Sequence, residues 1–334
     1  MYAKKEREKA MGKKKTIARI ETAKLTIGEA FTKFISEKSA LLYSESTIRN
    51  YKQSVKYFID YLEASFYEMD EESPIAEVNK EQILDYTFWL TCEKNKNTIN
   101  HYLRDLRAFL YWCMDDTREY IPHRFKIQQV KAQEETLKVY TDEELDKLLK
   151  KPAASDSFFE WRNWAIVNWV MATGNRGATI CEVKLEDIDW ETKHIFLRHT
   201  KNKRFQNILM SKELEMALKE YLKLWKITDN LFPDSSNDVL TTNALRHSFA
   251  KYCARRGVER TDLHGLRHTF ARLWIVNGGN KQKLQYMLGH SSSAMTDRYI
   301  RLFCDDFLND FEEFNPLDTL LKDKKRSLIE RKRA

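Results

Sequence analysis

The stretch TDLHGLRHTFARLWIVNGGNKQKLQYMLGHSSSAMTDRYIR, residues 261–301, concentrates side chains that can move protons and bind anions. His264 and Arg267 stand three residues apart, so they share one face if this segment is helical. A glycine directly before His290 marks the expected end of a second helix, and Tyr299 follows nine residues after His290. Two packed helices would bring these four side chains together, although each of them alone is more often a packing residue.

The composition of the 334-residue chain favours helices. Glycine and proline are scarce, with nine and five residues, and 42% of the residues are hydrophobic, enough for the cores of two domains. A charged N-terminus and the lack of any apolar run near the roughly 20 residues of a membrane span predict a cytoplasmic protein. The five cysteines are scattered without a C-x-x-C pair, which predicts reduced thiols rather than disulfides or a zinc site.

Both ends of the chain are basic. Residues 1–20 carry eight Lys/Arg against two Glu, a net charge of +6, and residues 322–334 carry seven Lys/Arg against two acids, a net charge of +5. Cationic segments can bind nucleic acid through counterion release. They are equally typical of solvated tails, so charge alone leaves both interpretations open.

Four helices are predicted in the first third of the chain. Apolar residues recur there at helical intervals over 26–36, 44–62, 80–92 and 97–114. Ser44 and Ser46 are alternative N-caps for the second of these helices. Four short helices within about 90 residues predict a compact all-α domain.

The later part of the chain mixes helices with one hairpin. Thr141 opens a helix with a capping-box pattern, and helical spacing runs from Trp161 until Gly174 stops it. Residues 194–197 and 205–210 have β-type composition and flank a very basic turn, which predicts a hairpin.

These patterns predict a mainly α protein with a small antiparallel sheet in its second half. We interpret the aperiodic, charge-mixed stretch before Thr141 as a linker. The expected segments, in chain order, are a basic arm 1–24, the four-helix domain 25–116, the linker 117–139, a second domain 140–304, and a C-terminal helix with a basic tail 305–334.

The chain resembles the tyrosine recombinases, also called phage-type integrases, over roughly residues 25–317. The matching strings near the C-terminus are HGLRHTFA (264–271), LGH (288–290) and Tyr299, in the family's usual register. Upstream, ATGNR (172–176) together with KLEDID (184–189) resembles the family's first arginine box. The hairpin turn HTKNKR (199–204) resembles the family's lysine loop. The four-helix domain is similar to the family's SAM-like core-binding domain. The string from 256 to 317 is most similar to integrases of Gram-positive phages and conjugative transposons.

The resemblance implies a phosphate clamp. Attack on a DNA phosphodiester places negative charge on its nonbridging oxygens, and guanidinium groups bind such oxygens in a bidentate manner that lysine cannot match. Arg176 and Arg267 are the candidates for this clamp. His290 would hydrogen-bond one of the same oxygens.

The resemblance also assigns the nucleophile and the proton transfers. Tyr299 is the candidate nucleophile, and with a usual pKa of about 10 it needs a base or nearby positive charge. His264 is the candidate proton acceptor. Lys201, in the hairpin turn, is the candidate general acid for the leaving 5′-oxygen. Lys203 and Arg204 are alternatives for that role.

The function implied is site-specific DNA recombination or integration through a 3′-phosphotyrosyl link, without metal, ATP or nucleotide cofactor. The absence of a Walker loop or nucleotide fingerprint agrees with this. Like its family, the protein would act as a homotetramer on two synapsed double-stranded DNA sites in the nucleoid, with residues 305–321 packing on a neighbouring protomer. The alternatives are a non-cutting DNA-binding regulator on the same scaffold and a nicking-closing enzyme without site choice.

Two patterns compete with these assignments. The string LRHSFA (245–250) repeats the later motif but lacks a histidine three residues before its arginine, so we expect Arg246 and His247 to lie on the surface. His264 and His268 form an i, i+4 pair that could bind zinc, but no third ligand is evident. We expect His268 to pack or to support the site indirectly.

One residue departs from the family pattern. Many members carry an acid three residues after the first arginine, where this chain has Thr179. That difference affects the groups that orient the site rather than the clamp itself. We also expect Tyr252 and Tyr286 to be core aromatics.

Overall fold

The computed structural model describes residues 25–131, 137–198 and 205–303. The chain divides into two units, residues 1–134 and 135–334, and the division falls within the segment interpreted as a linker. None of the described helices is long and apolar enough to cross a membrane.

The first unit contains the four predicted helices, which are α1 Ile27–Ala40, α2 Glu45–Ala64, α3 Lys80–Glu93 and α4 Lys96–Cys113. Each begins at a side chain that accepts a hydrogen bond from the first turn, as expected of N-caps, and Ser44 rather than Ser46 caps α2. The apolar stripes of these helices meet in one core that includes Phe34, Phe58 and Leu106. The predicted all-α fold of this region is confirmed.

The second unit contains eight α-helices among its described residues. In chain order they are α5 Asp142–Leu149, α6 Phe158–Thr173, α7 Gly177–Glu182, α8 Lys212–Leu224, α9 Thr242–Arg255, α10 Leu263–Val276, α11 Lys281–Leu288 and α12 Ser293–Leu302. Helix α6 has buried residues on most of its surface, and it lies at the centre of the unit against α5, α8, α9 and α10. Trp161 and Trp169 of α6 are almost fully buried in this core.

A three-stranded antiparallel sheet follows α7, with strands β1 Ile188–Asp189, β2 His194–Leu197 and β3 Gln206–Leu209 in sequential order. Ile195 of β2 pairs with both neighbouring strands and is fully buried. The predicted hairpin is β2–β3. Its turn, 199–204, which carries Lys201, lies outside the described residues. Strand β1 was not predicted, because two residues are too few to show alternation.

Two glycines end helices at points where the chain must turn sharply into the next segment. Gly174 ends α6 at φ 65° and Gly289 ends α11 at φ 59°, both in the left-handed region. A Cβ on Gly174 would lie 2.5 Å from the ring of Phe270, so only glycine lets α10 approach this closely. These two predicted helix stops place Arg176 and His290 close to α10.

Candidate active site

Five of the six residues predicted to be catalytic line one cavity of about 450 Å³ in the second unit. They come from the start of α7, from α10, from the turn after α11 and from α12. The cavity is lined by Arg176, His264, Arg267, His290 and Tyr299, together with Leu137, His268, Ser291, Met295 and Arg298. The sixth, Lys201, lies outside the described residues.

Arg267 is almost fully buried in this cavity, with only 2% of its surface exposed. Its Nη1 donates to the carbonyl oxygen of Gly174 at 2.7 Å, and its Nη2 donates to that of Leu288 at 2.8 Å. Burial lowers the pKa of Arg267 to about 10, and the charge of Arg176 contributes to that lowering. The group is still a cation at pH 7. It is therefore a fixed positive charge in a poorly hydrated place.

Arg176 shares a backbone anchor with Arg267. It precedes the first residue of α7, and its Nη1 donates to the same Leu288 carbonyl oxygen at 3.3 Å. Burial lowers the pKa of Arg176 as well. Two guanidinium groups held side by side repel each other unless an anion lies between them. The arrangement is therefore a preorganised site for an anion such as phosphate.

His290 is hydrogen-bonded through both ring nitrogens. Its Nε2 lies 2.9 Å from Nη2 of Arg267, and its Nδ1 lies 2.9 Å from Oγ1 of Thr296. Burial, followed by the charges of Arg267 and Arg176, lowers the pKa of His290 to about 4, so the ring is neutral at pH 7. Because a guanidinium only donates, Nε2 accepts, and Nδ1 carries the proton and donates to Thr296. To donate to a phosphate oxygen, as predicted, Nε2 must first gain a proton.

Tyr299 is 5% exposed, and its ring lies beside two other rings. Its ring lies nearly parallel to that of His290, with centroids 6.0 Å apart at 6°, and it also stacks with Phe303 at 6.3 Å. Its hydroxyl lies 2.9 Å from Nδ1 of His268. Burial raises the pKa of Tyr299, and the charges of Arg267 and Arg176 oppose that rise. The hydroxyl is therefore protonated at pH 7 in the absence of DNA.

Sequence reasoning missed the contact between His268 and the tyrosine hydroxyl. His264 and His268 lie one turn apart on α10, with ring centroids 4.6 Å apart, and the resemblance favours His264 because it stands three residues before Arg267. Both line the cavity, and the ring of His268 lies within hydrogen-bond distance of the hydroxyl. Burial, followed by the neighbouring His264, lowers the pKa of His268 to about 4. Residues 25–131, 137–198 and 205–303 contain no group of three His, Cys, Asp or Glu side chains arranged to bind a metal ion.

The competing motif lies apart from the cavity. Arg246 and His247 are exposed on α9, as predicted. Tyr252 of the same helix is fully buried, also as predicted, and donates to the carbonyl oxygen of Leu148 at 2.6 Å. Thr179, at the place where many relatives carry an acid, is buried on α7.

The prediction that Tyr286 is a core aromatic is wrong, since it is 52% exposed. Its hydroxyl accepts a hydrogen bond from the backbone nitrogen of Asn207 at 3.0 Å and donates to the oxygen of the same residue at 2.9 Å. Gln206 completes the link, because its side-chain amide donates to the carbonyl oxygens of Tyr286 and Met287. The tyrosine stays at the surface because it binds the edge of β3 to the end of α11.

Two family descriptions match the chain. Residues 138–304 match the Phage integrase family, and residues 31–119 match the phage integrase N-terminal SAM-like domain. These matches confirm both the family and the fold class expected from the sequence. The finer resemblance to integrases of Gram-positive phages and conjugative transposons stays a prediction.

Curated relatives and solved structures agree with that assignment. Tyrosine recombinase XerA of Saccharolobus solfataricus is 25% identical over 300 residues, covering 85% of this chain and 92% of its own length. Tyrosine recombinase XerC of Thermodesulfovibrio yellowstonii is 26% identical over 287 residues, covering 82% and 91%. The fold is similar to that of a lambda integrase tetramer bound to a Holliday junction, with a TM-score of 0.66, 14% identity, and coverage of 83% of this chain and 78% of that one. The chain therefore belongs to the phage integrase family, and its enzyme class is that of the tyrosine recombinases.

Proposed function

We propose that this protein is a site-specific DNA recombinase that cleaves and rejoins strands through a 3′-phosphotyrosyl intermediate. One observation carries the proposal: the hydroxyl of a buried tyrosine shares a single cavity with two anchored arginines. A phosphodiester held by Arg176 and Arg267 would be presented to Tyr299. Charge-assisted hydrogen bonds from both guanidiniums would grow stronger as negative charge develops on the nonbridging oxygens.

The bound phosphate changes the balance of charge in the cavity. Without an anion, His290 is neutral and its Nε2 accepts from Arg267. An anion beside the ring favours its protonated form, because an opposite charge raises the pKa of a histidine. The protonated ring can then donate from Nε2 to a nonbridging oxygen, which is the role assigned to His290 by the resemblance. Its donation to Thr296 keeps the ring in place.

Cleavage requires two proton transfers. A histidine of α10 would take the proton of the Tyr299 hydroxyl, and His264 is the residue expected from the sequence. The 5′-oxygen would leave with a proton from Lys201, the expected general acid. The phosphodiester energy is kept in the tyrosine–phosphate bond, so the step can reverse onto another strand without ATP.

The same family likeness supports the expected partners. We propose double-stranded DNA as the substrate and a homotetramer on two synapsed sites as the working assembly. The similarly folded lambda integrase is seen as a tetramer on a Holliday junction. The segment expected to reach a neighbouring protomer, 305–321, lies outside the described residues.

The test is to trap the covalent intermediate on a suicide duplex, nicked so that the cleaved end diffuses away. The wild-type protein should yield a protease-sensitive protein–DNA adduct, and Tyr299→Phe should yield none. Tyr252→Phe is the matched control, because it also removes the hydroxyl of a buried tyrosine in this unit but lies outside the cavity. A wild-type protein that binds DNA yet forms no adduct would favour the non-cutting regulator instead.

A further inference from the structure

We propose that His268 is the residue that accepts the proton of the Tyr299 hydroxyl when that oxygen attacks DNA. This inference rests on the proposed recombinase function and identifies the base within it. It departs from the sequence-based assignment of this role to His264. The contact between Nδ1 of His268 and the Tyr299 hydroxyl, at 2.9 Å, carries the inference.

The geometry meets the requirements for a general base. A base must lie within hydrogen-bond reach of the proton that it removes, and heavy-atom distances of about 2.6–3.2 Å satisfy this. The imidazole of His268 is half-buried beside the phenol ring, with ring centroids 5.6 Å apart at 52°. Its ring can therefore hold the hydroxyl in one direction while water has limited access to the pair. With the hydroxyl donating, Nδ1 offers its lone pair and Nε2 carries the proton.

The charges around His268 make it a weak base in the absence of DNA. Its pKa is lowered to about 4 by burial, by His264, and by the cations Arg267 and Arg298, while Asp262 acts in the opposite direction. A phosphate bound at the arginines would neutralise part of that positive potential. The pKa of His268 would then rise towards its usual value. The imidazolium that forms on proton transfer is then repelled less by the neighbouring arginines when an attackable phosphate is in place.

The proton balance is the same in both directions of the reaction. During cleavage, the O–H bond of Tyr299 breaks, its proton moves to Nδ1 of His268, and the tyrosine oxygen forms a bond to phosphorus. The bond from phosphorus to the 5′-oxygen breaks, and that oxygen takes a proton from the general acid. During rejoining, the 5′-hydroxyl attacks, and the imidazolium of His268 returns its proton to the departing tyrosine oxygen.

The decisive comparison is His268→Asn against His264→Asn. Asparagine keeps a hydrogen-bonding group near the place of Nδ1 but cannot accept a proton at neutral pH. His264→Asn makes the same chemical change one turn earlier on the same helix. Both variants are assayed in single turnover on a suicide duplex whose scissile 5′-oxygen is replaced by sulfur. Sulfur leaves without being protonated, so the measured rate reports deprotonation of the nucleophile and not the general acid.

On the sulfur substrate we expect His268→Asn to slow adduct formation by about 100-fold or more, the usual contribution of a general base. The wild-type rate should rise with pH and level off, and His268→Asn should lose that plateau. His264→Asn should be slowed less and keep the plateau. The amide of His268→Gln lies farther from the main chain than that of His268→Asn. Because this amide also cannot accept a proton, His268→Gln should be as slow as His268→Asn. The reverse pattern, with the plateau lost only in His264→Asn, would assign the base to His264.

A measurement without DNA tests the contact itself. Nitrogen-15 NMR of the free protein should show Nδ1 of His268 unprotonated, and Tyr299→Phe should shift its resonance. A proton on Nδ1 would overturn the inference, because the ring would then donate to the tyrosine. If the wild-type protein cleaves and His268→Asn cleaves equally fast on the sulfur substrate, the inference fails and the proposed function stands. If the wild-type protein forms no adduct, both fail.

Discussion

Replacing Gly174 by alanine should destabilise the second unit by about 2–5 kcal/mol. The residue has φ 65°, and an L-residue in the left-handed region costs about 1–2 kcal/mol. A new Cβ would also lie 2.5 Å from the Phe270 ring and 2.8 Å from the side chain of Leu288. Overpacking of this kind costs about 1–3 kcal/mol. Urea unfolding followed by tryptophan fluorescence measures the change in the free energy of unfolding.

Gly257→Ala is the matched control for this change. Gly257 also has φ 65°, but no atom lies within 4 Å of the place that a new methyl group would occupy. This variant should lose only the backbone contribution of about 1–2 kcal/mol. Shortening the neighbour with Phe270→Leu should reduce the penalty in the Gly174→Ala background, giving a coupling energy of about 0.5–3 kcal/mol. Equal losses at both glycines, or additive losses with Phe270→Leu, would refute the packing argument.

The cavity leads to three further predictions. Arg176→Lys should keep DNA binding but reduce the single-turnover rate of adduct formation at least about 100-fold, because one ammonium cannot replace a bidentate guanidinium. A rate reduced by less than about threefold would contradict this. Thr296→Val should slow cleavage about fivefold by removing the acceptor that orients His290, at a cost of about 1 kcal/mol in a neutral hydrogen bond; an unchanged rate would argue that packing alone holds the ring. The unfolding free energy should fall as pH drops from about 6.5 towards 4, because unfolded histidines bind protons there while half-buried His268 and buried His290, with pKa values lowered to about 4, do not. Asparagine at either histidine should flatten that pH dependence.

Local signals in the sequence were sufficient for most of the fold. The apolar spacing in α2 and α4 persists for several turns, and such long periodic runs are the most dependable pattern. Capping residues such as Thr141 fix where helices begin, and Gly174 and Gly289 fix where two of them end. Each of these signals is contained within one stretch of chain, and here the tertiary contacts agree with it.

What the sequence could not predict depends on contacts between distant segments. His268 and Tyr299 are 31 residues apart, and their hydrogen bond exists only because α10 packs against α12. Its aromatic side chain predicts a buried position for Tyr286, whereas hydrogen bonds to the backbone of Asn207 in β3 hold it at the surface. The pairing of His290 with Thr296 likewise needs the turn after Gly289. No spacing rule encodes these choices.

The carbonyl oxygen of Leu288 aligns both arginines, and this has a consequence for genetic screens. A main-chain atom is present whatever side chain occupies the position, so codon changes at 288 to other apolar residues should seldom inactivate the enzyme. The vulnerable codon is the next one, because Gly289 ends the helix in the left-handed region and thereby sets the direction of that carbonyl. A saturating screen for lost recombination should therefore recover many alleles at 289 and few conservative ones at 288.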